Sequence, residues 1–212
     1  MTKRSSGWNH NVAYHRTLLA AIPPACAHAL DIGCGTGVLA RSLAQRCSHV
    51  IGIDLGHEAI AEARLASAAV PNLRFVEGDA TTYPFAPQSF NLITMVASLH
   101  HLPLEATIAR VSTLLRPGGV LAIIGLYRPA TVTDYALAAA ALPASHALRM
   151  LRGYAPQDAA AAMTPPTTTL RQIRAALQLT FPAADVRRRL LFRYTLIAQK
   201  PHNSVQNSHR VR

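Results

Sequence analysis

The sequence predicts an α/β domain: a doubly wound, mostly parallel sheet with helices on both faces. Three observations predict it. Short apolar runs of strand length recur at residues 29–32, 50–53, 73–76, 90–96 and 120–126. Segments with apolar residues at helical spacing separate them. The first three runs lead into glycines and acids (Gly33, Asp54 and Glu77-Gly78-Asp79), as strand ends do when they border a site. A chain of 212 residues, half of them hydrophobic, fits one large domain with a real core.

Taken in order, Val12 to Ile22 reads as a helix stopped by Pro23-Pro24. Ala29 to Ile32 is strand one, with a glycine turn behind it. Val38, Leu39, Leu43 and Cys47 give the next helix its apolar face, with Thr36 as N-cap. Val50 to Ile53 is strand two, and Glu58 to Ala69 a helix ended by Pro71-Asn72. Leu73 to Val76 is strand three. Pro84 and Pro87 mark a loop before strand four, Phe90 to Val96. Ile108, Val111 and Leu115 line a helix that Pro117-Gly118-Gly119 ends. Val120 to Leu126 is strand five.

Beyond residue 126 the rhythm changes. Residues 127–168 are rich in Ala, Thr and Pro and read as a helical insertion over the sheet edge. Leu170, Ile173 and Leu177 resume a helix. Residues 185–199 read as two closely connected strands or one long one. The expected organisation is a single domain over 1–200, with residues 1–27 as an N-terminal helical lid and 201–212 as a disordered tail.

The formal charge of +11 sits mainly at the ends. Residues 17–130 carry seven basic and seven acidic side chains, whereas 185–212 carry seven basic and one acidic. Such ends suit a solvated surface first, and nucleic acid or an anionic surface second. Cys26, Cys34 and Cys47 form no CxxC and no metal-spaced cluster, so no metal site is expected. The N-terminus lacks an apolar leader core, and no stretch reaches the ~20 apolar residues of a membrane span. Reduced thiols and a cytoplasmic location are the expectation.

The chemistry concentrates in Leu30-Asp31-Ile32-Gly33-Cys34-Gly35-Thr36-Gly37 and Gly52-Ile53-Asp54. Gly33, Gly35 and Gly37 let backbone approach a ligand closely, and the following helix N-terminus suits a carboxylate. Asp31 stands near a cationic ligand's amino group. Asp54, 17 residues after the last glycine, is placed to accept two ribose hydroxyls. Leu55 would press on one face of an adenine. Asp79 would accept from the adenine amine, with Ala80 supplying backbone, and Val96 would face the bound cofactor. A G-x-G-x-x-G dinucleotide fingerprint fails, because the third glycine comes one residue early and Asp31 would repel a pyrophosphate. No Walker G-K-[ST] follows. A nucleoside with a charged amino-acid tail, S-adenosylmethionine, fits this pattern.

On these residues, together with Glu77-Gly78-Asp79-Ala80, Ser89-Phe90-Asn91-Leu92-Ile93, Leu99-His100-His101-Leu102 and Leu115-Arg116-Pro117-Gly118-Gly119, the chain resembles the class I S-adenosylmethionine-dependent methyltransferases. It is most similar to their small-molecule, ubiquinone/menaquinone-type branch. The resemblance covers residues 28–126. It implies a Rossmann-like seven-stranded sheet with an antiparallel last strand, which residues 185–199 can supply. It departs at Asn91, where the family usually has an acid.

Methyl transfer from a sulfonium is an in-line displacement, so the protein mainly aligns the acceptor, excludes water and takes up a proton. His100 and His101, after strand four, are the candidate bases. Trp8-Asn9-His10-Asn11 and Tyr14-His15 precede an apolar helix, and related methyltransferases close such a segment over the cofactor. Tyr14 and His15 would then touch its methionine end. Tyr127, Tyr135, Tyr154 and Met163 are candidates for the acceptor wall. The expected partner is a small-molecule acceptor. Methylation of RNA or another macromolecule is the alternative, but strand four lacks the [DNS]-P-P-[FYW] signature of base amino methylation, and no Pro-Cys pair serves C5 chemistry. A non-catalytic S-adenosylmethionine-binding protein is the third reading. Arg187-Arg188-Arg189 reads as the charge of an edge strand.

Overall fold

The computed structural model describes residues 12–137, 139, 165–190 and 192–202. Trp8 to Asn11, Tyr154, Met163 and most of the tail lie outside them. Among the described residues, seven strands form one sheet: β1 His28–Ile32, β2 His49–Asp54, β3 Leu73–Glu77, β4 Phe90–Val96, β5 Leu115–Leu126, β6 Asp185–Arg189 and β7 Arg193–Gln199. Their order is β3-β2-β1-β4-β5-β7-β6. β7 runs antiparallel to both of its neighbours, and the ladders from β3 through β5 are parallel. Residues 185–199 are therefore two strands, and the fold is the mixed seven-stranded one. Strand order reverses between β1 and β4, so a crevice opens beyond their carboxyl ends.

Alternation along the strands builds two cores. Leu30, Ile32, Ile93 and Met95 face one side with Leu104, Ile108 and Val111 of helix α4 (Leu104–Leu114) and Ile173 of α5 (Leu170–Leu177). Ala29, Val50, Leu92 and Ala122 face the other. There they meet Leu18 of α1 (Val12–Ala20), Leu39 and Leu43 of α2 (Val38–Ala44) and Ile60 of α3 (His57–Ala66). The period of two puts Asp31 and Thr94 on this second side.

Helices α1 and α3 end at Ala20 and Ala66, short of the expected Ile22 and Ala69, and two further boundaries differ for a visible reason. Gly37, at φ 76°, is the N-cap of α2 and no side chain caps the helix. Thr36 instead offers its carbonyl to Arg41 Nη1 at 2.8 Å. Helix α4 stops at Leu114, and Pro117-Gly118-Gly119 falls inside β5. The helix end is held from outside: Lys200 Nζ donates to the carbonyls of Ser112 and Leu115 at 2.7 and 2.8 Å. Asn91 performs a structural task, accepting from the His28 N–H at 3.0 Å and so pinning β1 to β4. α5 starts with a full capping box between Thr169 and Gln172.

β6 is an edge strand, as its arginines suggested. Arg187 is exposed and pairs with Asp185 at 2.7 Å. Arg188 has a further role, because its Nε lies 3.0 Å from the buried carboxylate of Asp134. Among the described residues, no helix is long and apolar enough to cross a membrane.

Candidate active site

The turn after β1 carries three glycines at positive φ, each doing something different. A Cβ on Gly33 would collide with Ser98 Cβ and lie 2.9 Å from its Oγ. A Cβ on Gly37 would collide with the Phe75 ring. A Cβ on Gly35 would meet nothing within 4 Å. Gly33 and Gly37 are thus bare because the protein packs there, whereas Gly35 faces open space of the kind a ligand fills.

Asp54 stands beside that space. Its Oδ2 accepts from the Gly35 N–H and its Oδ1 from the Gly56 N–H, both at 2.8 Å. The carboxylate is half-buried and keeps acceptor capacity on both oxygens. Leu55, next in sequence, is 69% exposed at the crevice wall. Asp79 is oriented by Thr81, whose N–H and hydroxyl both donate to Oδ1, at 2.8 and 2.7 Å. The hydroxyl and then the N–H hold its pKa below the ordinary value, so the carboxylate is charged and Oδ2 is left over. Ala80 packs against the core just behind it.

Asp31 is deeper than the sequence alone suggests, at 2% exposure. Thr94 Oγ1 donates to it at 2.8 Å. Burial raises its pKa, the Thr94 hydrogen bond opposes this, and the charge of Asp54 adds to the rise, giving a value of about 7. A cation beside it would draw the proton off. Cys34 belongs to one apolar cluster against which Val96 and Tyr14 of α1 both pack. His15, also on α1, has its pKa lowered by burial.

At the exit of β4 the backbone turns sharply. Ala97 has φ 52°, unusual for a residue with a Cβ, and its N–H is tied to the Ile124 carbonyl at 2.7 Å. Ser98 Oγ donates to the Ile32 carbonyl at 2.9 Å. This corner starts the short helical turn Leu99–His101. The His100 and His101 rings lie 3.9 Å apart. His100 Nδ1 is buried and has no hydrogen-bond partner among the described residues. Burial, followed by the neighbouring His101, lowers the His100 pKa to about 4. His101 is exposed.

Tyr127 does not line an open wall. It is 1% exposed, and its hydroxyl donates to Asp134 Oδ1 at 2.9 Å. Tyr135 remains 58% exposed, 6.2 Å from the Phe192 ring. Sequence reasoning missed Thr94, Gly56, Thr81 and the Ala97-Ser98 corner. None has a motif of its own, because each acts through a hydrogen bond or packing contact with a residue distant in sequence or in an adjacent turn. Among the described residues, no group of three or more His, Cys, Asp and Glu side chains could hold a metal ion.

Comparison with known proteins finds methyltransferases. Residues 29–119 match the family model of a methyltransferase domain. An uncharacterized methyltransferase of Mycobacterium tuberculosis is 28% identical over 195 residues, covering 92% of this chain and 98% of that protein. A 2-phytyl-1,4-naphtoquinone methyltransferase of Thermosynechococcus vestitus is 38% identical over 112 residues, about half of each chain (51% and 50%). In fold, a SAM-dependent methyltransferase of Methanosarcina mazei superposes with a TM-score of 0.63 at 21% identity, covering 88% of this chain and 97% of that one.

Proposed function

We propose that this chain is an S-adenosylmethionine-dependent methyltransferase that acts on a small-molecule acceptor bearing a hydroxyl. When bound, S-adenosylmethionine supplies an activated methyl group on a sulfonium. Asp54 would hold the ribose hydroxyls, Leu55 would cover the adenine, and Asp79 and Ala80 would meet its edge. The turn at Gly33, Gly35 and Gly37 admits the amino-acid tail, and Asp31 in its ionised form balances the cationic end. Tyr14, His15 and Val96 close the side toward the reacting centre.

The observation that carries the acceptor reading is His100. A buried imidazole nitrogen without a partner is costly unless a ligand satisfies it. With its pKa near 4, His100 is neutral at pH 7 and free to accept a proton. A neutral imidazole at this position can accept a hydrogen bond from an acceptor's hydroxyl and then its proton. The ubiquinone biosynthesis O-methyltransferases among its relatives support transfer to oxygen.

The test is release of S-adenosylhomocysteine from the full chain with phenolic, amine, thiol and RNA pools as separate substrates. Turnover confined to the phenolic pool, abolished by His100→Ala with cofactor affinity intact, supports the reading. Turnover on RNA alone, or His100→Ala at full rate, overturns it.

A further inference from the structure

Three thiols are buried in the cofactor half of the molecule, and they are not equivalent. Cys26, Cys34 and Cys47 are 3%, 8% and 4% exposed. Cys34 is the variable residue of the glycine turn. Its Sγ rests 3.7 Å from the Gly35 carbonyl and would stand 2.9 Å from a Cβ on Gly52. Burial, then the charges of Asp31 and Asp54, push its thiol pKa up, so it is held as an unreactive thiol.

Cys26 and Cys47 are different. Cys26 lies in the connection leading into β1, and Cys47 in the connection leading into β2. The Ser48 N–H donates to the Cys26 carbonyl at 2.9 Å, and the His49 N–H to the Ala27 carbonyl at 2.8 Å. These bonds zip the two connections side by side. Both side chains sit in one apolar cluster, and the Cys26 thiol also lies 3.9 Å from the His28 carbonyl. Neither cysteine belongs to a helix or strand, so local opening of these connections exposes the pair without unfolding the sheet.

We propose that Cys26 and Cys47 form a reversible oxidation site, a dithiol that a small disulfide of the glutathione class converts to an intramolecular disulfide. One thiolate attacks a sulfur of the oxidant, forming a mixed disulfide and releasing one reduced thiol. The second cysteine then attacks the protein sulfur of that mixed disulfide and releases the other. Two S–H bonds are lost and one S–S bond forms in the protein. The two electrons reduce the oxidant's S–S bond, and the two protons pass through solvent to its thiols. The neighbouring Cys47 lowers the Cys26 pKa while its own is raised, which favours Cys26 as the attacking group.

The new bond closes residues 26–47 into a loop that contains β1, the glycine turn and α2. It joins that loop at the amino ends of β1 and β2, opposite the carboxyl ends where Gly35 and Asp54 stand. Oxidation therefore staples the frame of the cofactor turn without entering the crevice. The oxidised protein binds S-adenosylhomocysteine within about twofold of the reduced protein, and its Tm is higher by roughly 5 °C.

The experiment incubates the full chain with oxidised glutathione, alkylates it under denaturing conditions and maps its peptides by mass. The expected result is a Cys26–Cys47 link with the loss of two hydrogen atoms, alkylation of Cys34 alone, and reversal by dithiothreitol. Cys47→Ser then shows neither the link nor the rise in Tm. Three alkylated thiols after oxidation, glutathione retained as a stable adduct, or a link that includes Cys34 would each overturn the proposal. Because the primary readout is on the unmutated chain, a variant that fails to fold does not obscure it.

Discussion

Asp54 at the end of β2 and Asp134 beyond β5 both gather backbone N–H donors, yet only one of them has acceptor capacity left. Asp54 takes the Gly35 and Gly56 N–H groups and stays half-exposed beside open space. Asp134 takes the Ala130 and Thr131 N–H groups at 3.0 and 2.9 Å, the Thr131 hydroxyl at 2.8 Å and the Tyr127 hydroxyl at 2.9 Å, with Arg188 Nε also at 3.0 Å. It is 3% exposed. Burial alone would raise its pKa, but the hydrogen bonds, led by Ala130 N–H, carry it down to about 2. Burial and this saturated carboxylate together raise the Tyr127 pKa to about 12. A carboxylate has about four lone-pair sites. Where the protein fills them all, the group ties the segment after β5 to the edge strand. Where it leaves some free, the group is available to a ligand.

The largest test of this contrast is on Asp54. Asp54→Ala should weaken S-adenosylhomocysteine binding about a hundredfold, because two hydrogen bonds to a charged group are worth about 3 kcal/mol together. Calorimetric titration measures it, and unfolding in urea should change little. Asp134→Ala should do the reverse. It leaves the Arg188 guanidinium and the Tyr127 hydroxyl without their buried partner, costing about 3 kcal/mol of stability while cofactor affinity holds. Both variants losing affinity alike would erase the distinction.

The glycines sharpen the same contrast at smaller scale. Gly33→Ala drives a Cβ into Ser98 and should cost about 2 kcal/mol of stability. Gly35→Ala meets no protein atom, so only its positive φ is penalised, by about 1 kcal/mol, and its larger effect is on cofactor affinity. Equal unfolding midpoints for the two would contradict that assignment.

The smallest expected effect is a pH dependence. Asp31 has a folded pKa of about 7 against an unfolded value of 3.8. A raised value means that the folded state holds the proton longer. Its contribution to stability is present below pH 3.8 and fades as pH rises through about 7. Cofactor affinity moves the other way, because a cationic ligand needs the ionised carboxylate. Binding to the unmutated chain should strengthen up to about pH 7. Asp31→Asn should flatten that slope at a cost of about tenfold in affinity at pH 7. A flat profile in the unmutated protein would remove Asp31 from the cofactor's charge balance.

Much of the cofactor half was legible from local signals. The run Asp31 to Gly37 and the acids at Asp54 and Asp79 lie in strand ends and turns whose geometry is set within a few residues. Phe90–Val96 matched its expected bounds because its apolar run is continuous and flanked by turn residues. The misjudged details depend on distant partners. Thr36 is no cap because Gly37, at φ 76°, holds the N-cap position and puts Thr36 one residue outside the helix. Leu115 begins a strand because it pairs with Phe90 and because Lys200, 85 residues away, holds the helix end before it. Tyr127 is buried because Asp134 and Arg188 complete a network that no spacing announces.

By itself the sequence determined the sheet, its helices and the kind of cofactor. Apolar periodicity and glycine chemistry act over neighbouring residues, and a charged turn excludes a pyrophosphate wherever it lies. Only the tertiary structure decided which glycine faces open space, which carboxylate has unused lone pairs and which two of three cysteines lie on adjoining connections. Those properties belong to the packing of segments that meet from far apart in the chain. The opening glycine turn is the clearest case: its three glycines are interchangeable as letters, and Ser98, Phe75 and empty space make them three different residues.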